Sequence, residues 1–245
     1  MDLYSFAPIA AALDGAYFVV TALADALVPL AGAASSAVAV ILITILVRAV
    51  LIPVGRSQVR AEITRRRLAP QLQVLQNRYR TSPETLRRKT MELYTEQNAS
   101  PLAGCLPTLF QAPVLSIVYG LFIVATVNGH ANALLSDQLF GIDLGASFLH
   151  YLAAMDAGAG AIVFPGLLLV IAIVAWQSRR AALRMAPPAV EGTPALPGNL
   201  ASVLSWLPFL TVVFAAVVPL AAVLYLTVST TWTLVERSIL RKRMN

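Results

Sequence analysis

The sequence predicts an all-α polytopic membrane protein, and three observations predict it. Of its 245 residues, 58% are hydrophobic and 12% charged, with a mean hydropathy of +0.74. An ordinary soluble domain carries about 25% charged residues. Five apolar stretches approach or exceed the roughly 20 residues a spanning helix needs. The basic residues gather in alternate connecting segments. This balance excludes a soluble enzyme, a disordered chain and a disulfide scaffold. The one cysteine, Cys105, has no internal partner for a disulfide.

Residues 1–33 hold Asp2, Asp14 and Asp25 and no Lys or Arg, with Pro8 and Pro29 interrupting the apolar runs. They read as an extracytoplasmic amphipathic segment at the outer membrane surface. The rival reading is a signal anchor, although the basic n-region of a secretory signal is missing. The first span is 34–54, broken only by Arg48. Segment 55–100 is cytoplasmic and basic. Residues 101–240 supply four further spans, at about 102–127, 160–177, 200–217 and 220–235, with an outer loop at 128–159 and an inner loop at 178–199. Residues 241–245 form a basic tail. Prolines 107, 113, 165 and 208 fall inside spans, where neighbouring groups can satisfy the freed carbonyls. Pro219 separates the last two spans with almost no polar spacer and predicts a tight hairpin.

The arginines orient the chain. Segment 55–100 carries ten basic residues, 178–199 carries Arg179, Arg180 and Arg184, and the C-terminal end carries Arg237, Arg241, Lys242 and Arg243. Segment 128–159 carries none, but has Asp137, Asp143 and Asp156. The positive-inside rule then places the N-terminus outside and the C-terminus in the cytoplasm. Seventeen of the eighteen basic residues fall on the inner side, and the eighteenth is Arg48.

Within 55–100, Leu68, Leu72, Leu75 and Tyr79 make a one-sided apolar stripe of helical period, with a kink expected at Pro70. Ser82 suits an N-cap, Pro83 the first helical position and Glu84 the positive dipole end. Two helices in a hairpin follow. Arg65, Arg66, Arg67, Arg78, Arg87, Arg88 and Lys89 give it a basic surface. That surface is either a solvated connector held to anionic lipid or a docking element for a nascent chain, ribosome or partner. It is long for a connector, since helix–helix connections usually run 2–8 residues. Few apolar side chains tie it to the spans, so mobility relative to them is expected.

Arg48 is the costly residue. Arg56, the first interfacial basic residue, lies about 12 Å further along a helix. A mid-membrane arginine costs at least ~2.5–3.5 kcal/mol. Snorkelling to the interface is at its limit over that depth. No Asp or Glu falls within any of the five spans. Arg48 should therefore face a hydrated cavity open to the cytoplasm. Thr44 lies one turn away. Gln111, Ser116, Gln177, Ser205, Thr211, Tyr225, Thr227, Ser229, Thr230, Thr231 and Thr233 are further polar candidates, although a hydroxyl often bonds only to its own helix.

Other chemistry has no basis in the sequence. His130 and His150 stand apart from any metal-ligand cluster, and no nucleotide-binding, zincin or nucleophile-elbow motif is present. No cofactor and no direct nucleic-acid contact is expected, and the chain does not read as an enzyme. The sequon Asn98-Ala99-Ser100 falls on the cytoplasmic side, and the spacing of Gly141 and Gly145 lies outside the spans.

Three segments resemble the YidC-type membrane protein insertases, related to the mitochondrial Oxa and chloroplast Alb proteins. Leu46-Val47-Arg48-Ala49-Val50-Leu51-Ile52-Pro53 is similar to the family's first core span with its groove arginine. Ser100-Pro101-Leu102-Ala103-Gly104-Cys105-Leu106-Pro107, continuing through Gln111-Ala112-Pro113 to Tyr119, resembles the pattern N-P-L-x-G-C-x-P…Q-x-P…Y, with Ser for Asn at 100. Pro219 through Leu224-Tyr225 is similar to the hairpin before the last span. The resemblance covers roughly residues 15–240. It implies five transmembrane helices around a hydrophilic groove open to the cytoplasm and closed outside. Of the polar candidates, Arg48, Thr44, Gln111, Gln177, Tyr225, Ser229 and Thr230 are the expected groove set.

The chain resembles a short, Gram-positive-type member. Two Lys against sixteen Arg fit a GC-rich genome such as an actinobacterium's. Implied partners are nascent membrane proteins and anionic lipids, with the ribosome and a Sec translocon as further candidates. The short basic tail weighs against ribosome binding through it.

The implied function is insertion of membrane proteins. The runner-up is a small-solute or anion transporter using Arg48 as counter-charge, but such transporters commonly carry internal repeats and none is found here. A structural subunit, with the groove idle, is the third reading. Single cysteines placed near Asp137 and near Arg87 should label from opposite sides of the membrane, with Asp137 outside. Labelling of both from one side overturns the five-span reading.

Overall fold

The computed structural model describes residues 7–97, 116–117, 120–122, 124, 126–127, 130–154, 158–185 and 205–244. Cys105, Gln111, Tyr119, most of the second predicted span and most of the inner loop lie outside them. The chain is mostly helical. Two helical stretches, Ala7–Val50 and Gly160–Arg184, are long and apolar enough to cross a membrane, and Leu207–Val217 is a shorter apolar helix.

Helix α1 (Ala7–Ala31) and helix α2 (Ser35–Val50) are joined by a 3-10 turn at Gly32–Ala34. Gly32 sits at φ +54°, a left-handed geometry that favours glycine and turns the chain back. α1 therefore lies along α2, burying Leu13, Val20 and Ala24. The segment expected at the outer membrane surface is thus a helix packed along α2. An apolar 25-residue helix gains more by packing on its neighbour than by standing alone.

α2 ends at Val50, and α3 (Ile52–Arg78) begins after the single residue Leu51. Pro53 explains the break, because it has no N–H and its ring would crowd the carbonyl four residues back. α3 runs through Pro70 without ending, and Leu68 on its predicted stripe is fully buried. α4 (Pro83–Glu96) starts at the expected place with Ser82 as N-cap. The Ser82 hydroxyl, however, pairs with the Thr85 hydroxyl at 3.3 Å and caps no backbone N–H.

The outer segment departs from an all-α reading. It contains two antiparallel pairs, β1 (Thr126–Val127) with β2 (His130–Ala131), and β3 (Gln138–Leu139) with β4 (Ile142–Asp143). Phe140 and Gly141 turn the second pair with φ of 54° and 80°, as a two-residue hairpin with both central residues left-handed requires. This segment packs against one end of the helix cluster. Leu134, Ile142 and Leu144 are buried. Ser36 of α2 donates to Asp137 at 2.5 Å, and Asn132 donates to the carbonyls of Leu121 and Val124 at 2.7 and 3.0 Å.

α5 (Phe148–Ala153) leads to α6 (Gly160–Met185). Phe148 and Tyr151 of α5 pack on Phe164 of α6. α7 (Leu207–Val217) and α8 (Leu220–Met244) are separated by Val218 and Pro219 alone, the tight turn that Pro219 predicts. α8 is the central helix, touching α2, α3, α6 and α7, and Leu220 through Tyr225 are all buried. Its first two N–H groups are satisfied from the outer segment: Leu220 N donates to Ala146 O at 2.8 Å and Ala221 N to Leu144 O at 3.0 Å.

α8 also continues past the expected end of its span and takes in Arg241, Lys242 and Arg243, so residues 241–244 are helical rather than a separate tail. Nothing between Leu220 and Met244 breaks a helix, and cations suit its C-terminal dipole end. The extension reaches α3. Val59 and Leu240 are buried, and the Arg241 guanidinium meets Glu62 Oε1 at 2.7 Å. α3 is therefore docked on α8, which corrects the expectation of an unanchored hairpin.

Partly buried ion pairs of this kind contribute up to about 1 kcal/mol. Glu62→Arg is expected to speed limited proteolysis within 55–97 by about two- to fivefold. Adding Arg241→Glu should restore protection if the pair is what holds α3.

Candidate functional site around Arg48

α2 carries Val40, Thr44 and Arg48 on one face, at helical spacing. That face borders a cavity of about 630 Å³. α1 forms another wall, with Ala12, Gly15, Ala16 and Val20, while Phe122 and Tyr225 complete it. The lining is overwhelmingly apolar. Arg48, Thr44 and Tyr225 are its polar members, and Arg48 lies near the end where α2 gives way to α3.

The Arg48 guanidinium donates to the Ser229 hydroxyl on α8. Ser229 is only 2% exposed, so this bond ties α2 to the central helix inside the cluster. The other hydroxyls behave differently. Thr44 donates to Val40 O at 2.7 Å, Thr230 to Leu226 O at 2.7 Å and Thr233 to Ser229 O at 2.8 Å, each back to its own helix. Such bonds satisfy the hydroxyl locally and leave it less available to a ligand.

The structure thus brings together Arg48, Thr44, Tyr225 and Ser229 of the residues named from sequence. Thr230 lines a separate cavity of about 150 Å³ with Thr211 and Thr233. Gln177 is exposed on α6 and lines neither cavity. Gln111 lies outside the described residues.

One residue was missed. Glu236, a single position beyond the predicted fifth span, lines a small cavity of about 30 Å³ together with Arg48, Gly55, Thr233 and Arg237. Its Oε2 accepts from Trp232 Nε1 at 3.0 Å, and its Oε1 is buried against the Cα of Gly55 with no hydrogen-bond partner. Burial pushes this carboxyl above its ordinary value, while the Trp232 bond and the charges of Arg48, Arg237 and Arg56 pull it down. The signal was available in the spacing: 229, 233 and 236 share one helical face, and no breaker separates them.

On the hairpin, Arg65, Arg66, Arg67, Arg78, Arg87 and Arg88 are exposed and Lys89 is half-buried. Lys89 meets Glu92 at 2.5 Å and holds its carboxyl below the ordinary value.

At the far end of α6, Arg179 stacks on Trp206 at 4.2 Å and Arg180 on Trp176 at 5.2 Å. Trp and Arg in such pairs suit the headgroup level of a bilayer.

Among known protein families, the one described as 60Kd inner membrane protein matches residues 28–245. The chain belongs to the 60Kd inner membrane protein family. Its relatives include the membrane protein insertase YidC of Clostridium perfringens, 36% identical over 85 residues, or 35% of this chain and 36% of that protein. The membrane protein insertase YidC of Zymomonas mobilis is 28% identical over 191 residues, 75% of this chain and 30% of that protein. The chloroplastic inner membrane protein PPF-1 of Pisum sativum is 38% identical over 101 residues, 41% of this chain and 23% of that protein. The chain matches about a quarter to a third of the length of these relatives. Membership of the family bears out the resemblance and makes this a membrane protein.

A hydrogen bond to a charged group contributes about 1.5–3 kcal/mol when buried, and less for the partly exposed Arg48. Ser229→Ala is therefore expected to lower the thermal unfolding midpoint in detergent by several degrees, equivalent to about 1–2 kcal/mol. Thr230→Ala should change it little, because its hydroxyl bonds only to its own helix.

Proposed function

We propose that the chain is a membrane protein insertase of the cell membrane. Five spans enclose a groove around Arg48, with the hairpin and C-terminus cytoplasmic and the outer segment outside. A cationic guanidinium at one pole of a large cavity in a family of inner membrane proteins is the observation that supports this reading most directly.

The hydrophilic segment of a nascent membrane protein enters from the cytoplasmic side. Arg48 attracts its acidic residues over a longer range than a hydrogen bond acts. Because the segment lies partway into the membrane beside polar groups, the apolar distance left to cross is shorter. The substrate's own apolar span then leaves sideways, driven by burial in hydrocarbon. No bond is made or broken in this cycle. The remaining groove residues are Thr44, Gln111, Gln177, Tyr225, Ser229 and Thr230. The basic hairpin residues Arg65, Arg66, Arg67, Arg78, Arg87, Arg88 and Lys89 receive the nascent chain near anionic lipid. The ribosome and a Sec translocon are the further partners of this scheme.

Insertion of single-span test proteins into vesicles holding the full chain tests the role of Arg48. Arg48→Lys is expected to keep much of the activity, because the charge survives the loss of the planar fork. Arg48→Ala should fail most for substrates with acidic translocated tails, and replacing those acids should lessen the defect. Wild-type rates for an acidic-tailed substrate in Arg48→Ala would sink the electrostatic mechanism.

A further inference from the structure

Glu236 has no part in the scheme above. It borders the same small cavity as Arg48, yet the two are not in ion-pair contact. Each is held by a neutral partner: Arg48 by Ser229, and Glu236 by the indole N–H of Trp232 one turn before it. Gly55 makes room for the carboxylate, since a Cβ there would overlap Glu236 Oε1. Two other cations act on Glu236, Arg56 and Arg237, but both are exposed and so are screened by solvent and salt. Arg48 and Glu236 are both half-buried, where screening is weaker.

We propose that Glu236 is the resident counter-charge of Arg48, a positioning residue held back by Trp232 in the space that Gly55 leaves, so that it weakens the arginine's field without neutralising it. It thereby sets how strongly the groove prefers acidic segments. A free guanidinium would bind acidic segments tightly and release them slowly. A fully paired one would attract nothing. Holding the carboxylate back across a small polar cavity gives an intermediate field. The inference rests on the insertase reading.

The test uses the full chain in vesicles of phosphatidylethanolamine and phosphatidylglycerol. Two single-span substrates differ only in three Asp or three Asn in the translocated tail, and insertion is read as the protease-protected fraction. Glu236→Gln keeps the shape and removes the charge, and it should raise the Asp-to-Asn insertion ratio by about two- to fivefold, the scale of a partly buried charge pair. Trp232→Phe leaves both charges and removes only the tether, and it should lower the ratio. In an Arg48→Gln background, Glu236→Gln should change nothing. An unchanged ratio in both Glu236→Gln and Trp232→Phe, beside a ratio that collapses in Arg48→Gln, overturns the counter-charge role alone. So does a Glu236→Gln effect that survives without Arg48. Wild-type protein that inserts neither substrate overturns the insertase reading and this inference with it.

Discussion

A guanidinium among apolar side chains has to be bonded and has to meet water, and the arrangement of α2 and α8 follows from that demand at Arg48. Ser229 supplies the bond from the buried face of the central helix. The cavity beside it supplies the space. Remove Ser229 and the arginine has lost its acceptor; remove the arginine and the contact between α2 and α8 loses its polar link. Thr227, Thr230 and Thr233 of α8 are already engaged with their own helix, whereas the buried Thr231 hydroxyl has no partner.

The opposite end obeys a different rule. The start of α8 is buried, and the first N–H groups of a buried helix must find acceptors. They find them in the carbonyls of Leu144 and Ala146. The outer segment is thus more than a connection. It completes the hydrogen bonding of the central helix while Leu134, Ile142 and Leu144 fill the space above it. Among the described residues, backbone pairing and apolar packing gather at one end of α8, and Arg48 and Glu236 lie nearer the other.

Much of this was legible in the sequence where the signal was local. Ser82, Pro83 and Glu84 mark the start of α4, Pro219 marks the turn before α8, and Arg48 stands out because charge is costly where it lies. What was illegible depended on contacts distant along the chain. Nothing near Asp14 or Pro29 says that α1 will fold back on α2, since the decisive feature is one left-handed glycine followed by packing. Two-residue strands are too short for a period to show, so the outer pairs were not seen. Glu236 was overlooked because the span was ended where apolar residues end, although the helix continues to Met244. The docking of α3 on α8 brings together Glu62 and Arg241, 179 positions apart.

The junction of α2 and α3 bears on mechanics. A single residue, Leu51, links the helix that carries Arg48 to a helix of 27 residues, roughly 40 Å long at 1.5 Å per residue. There is almost no slack between them. A load applied at the far tip of the hairpin therefore acts as torque on a short pivot three residues from Arg48, and the clasp of Glu62 and Arg241 sits along that arm as a brake. The hairpin and the half-buried Arg48 are thus separated, along the chain, by little more than one non-helical residue.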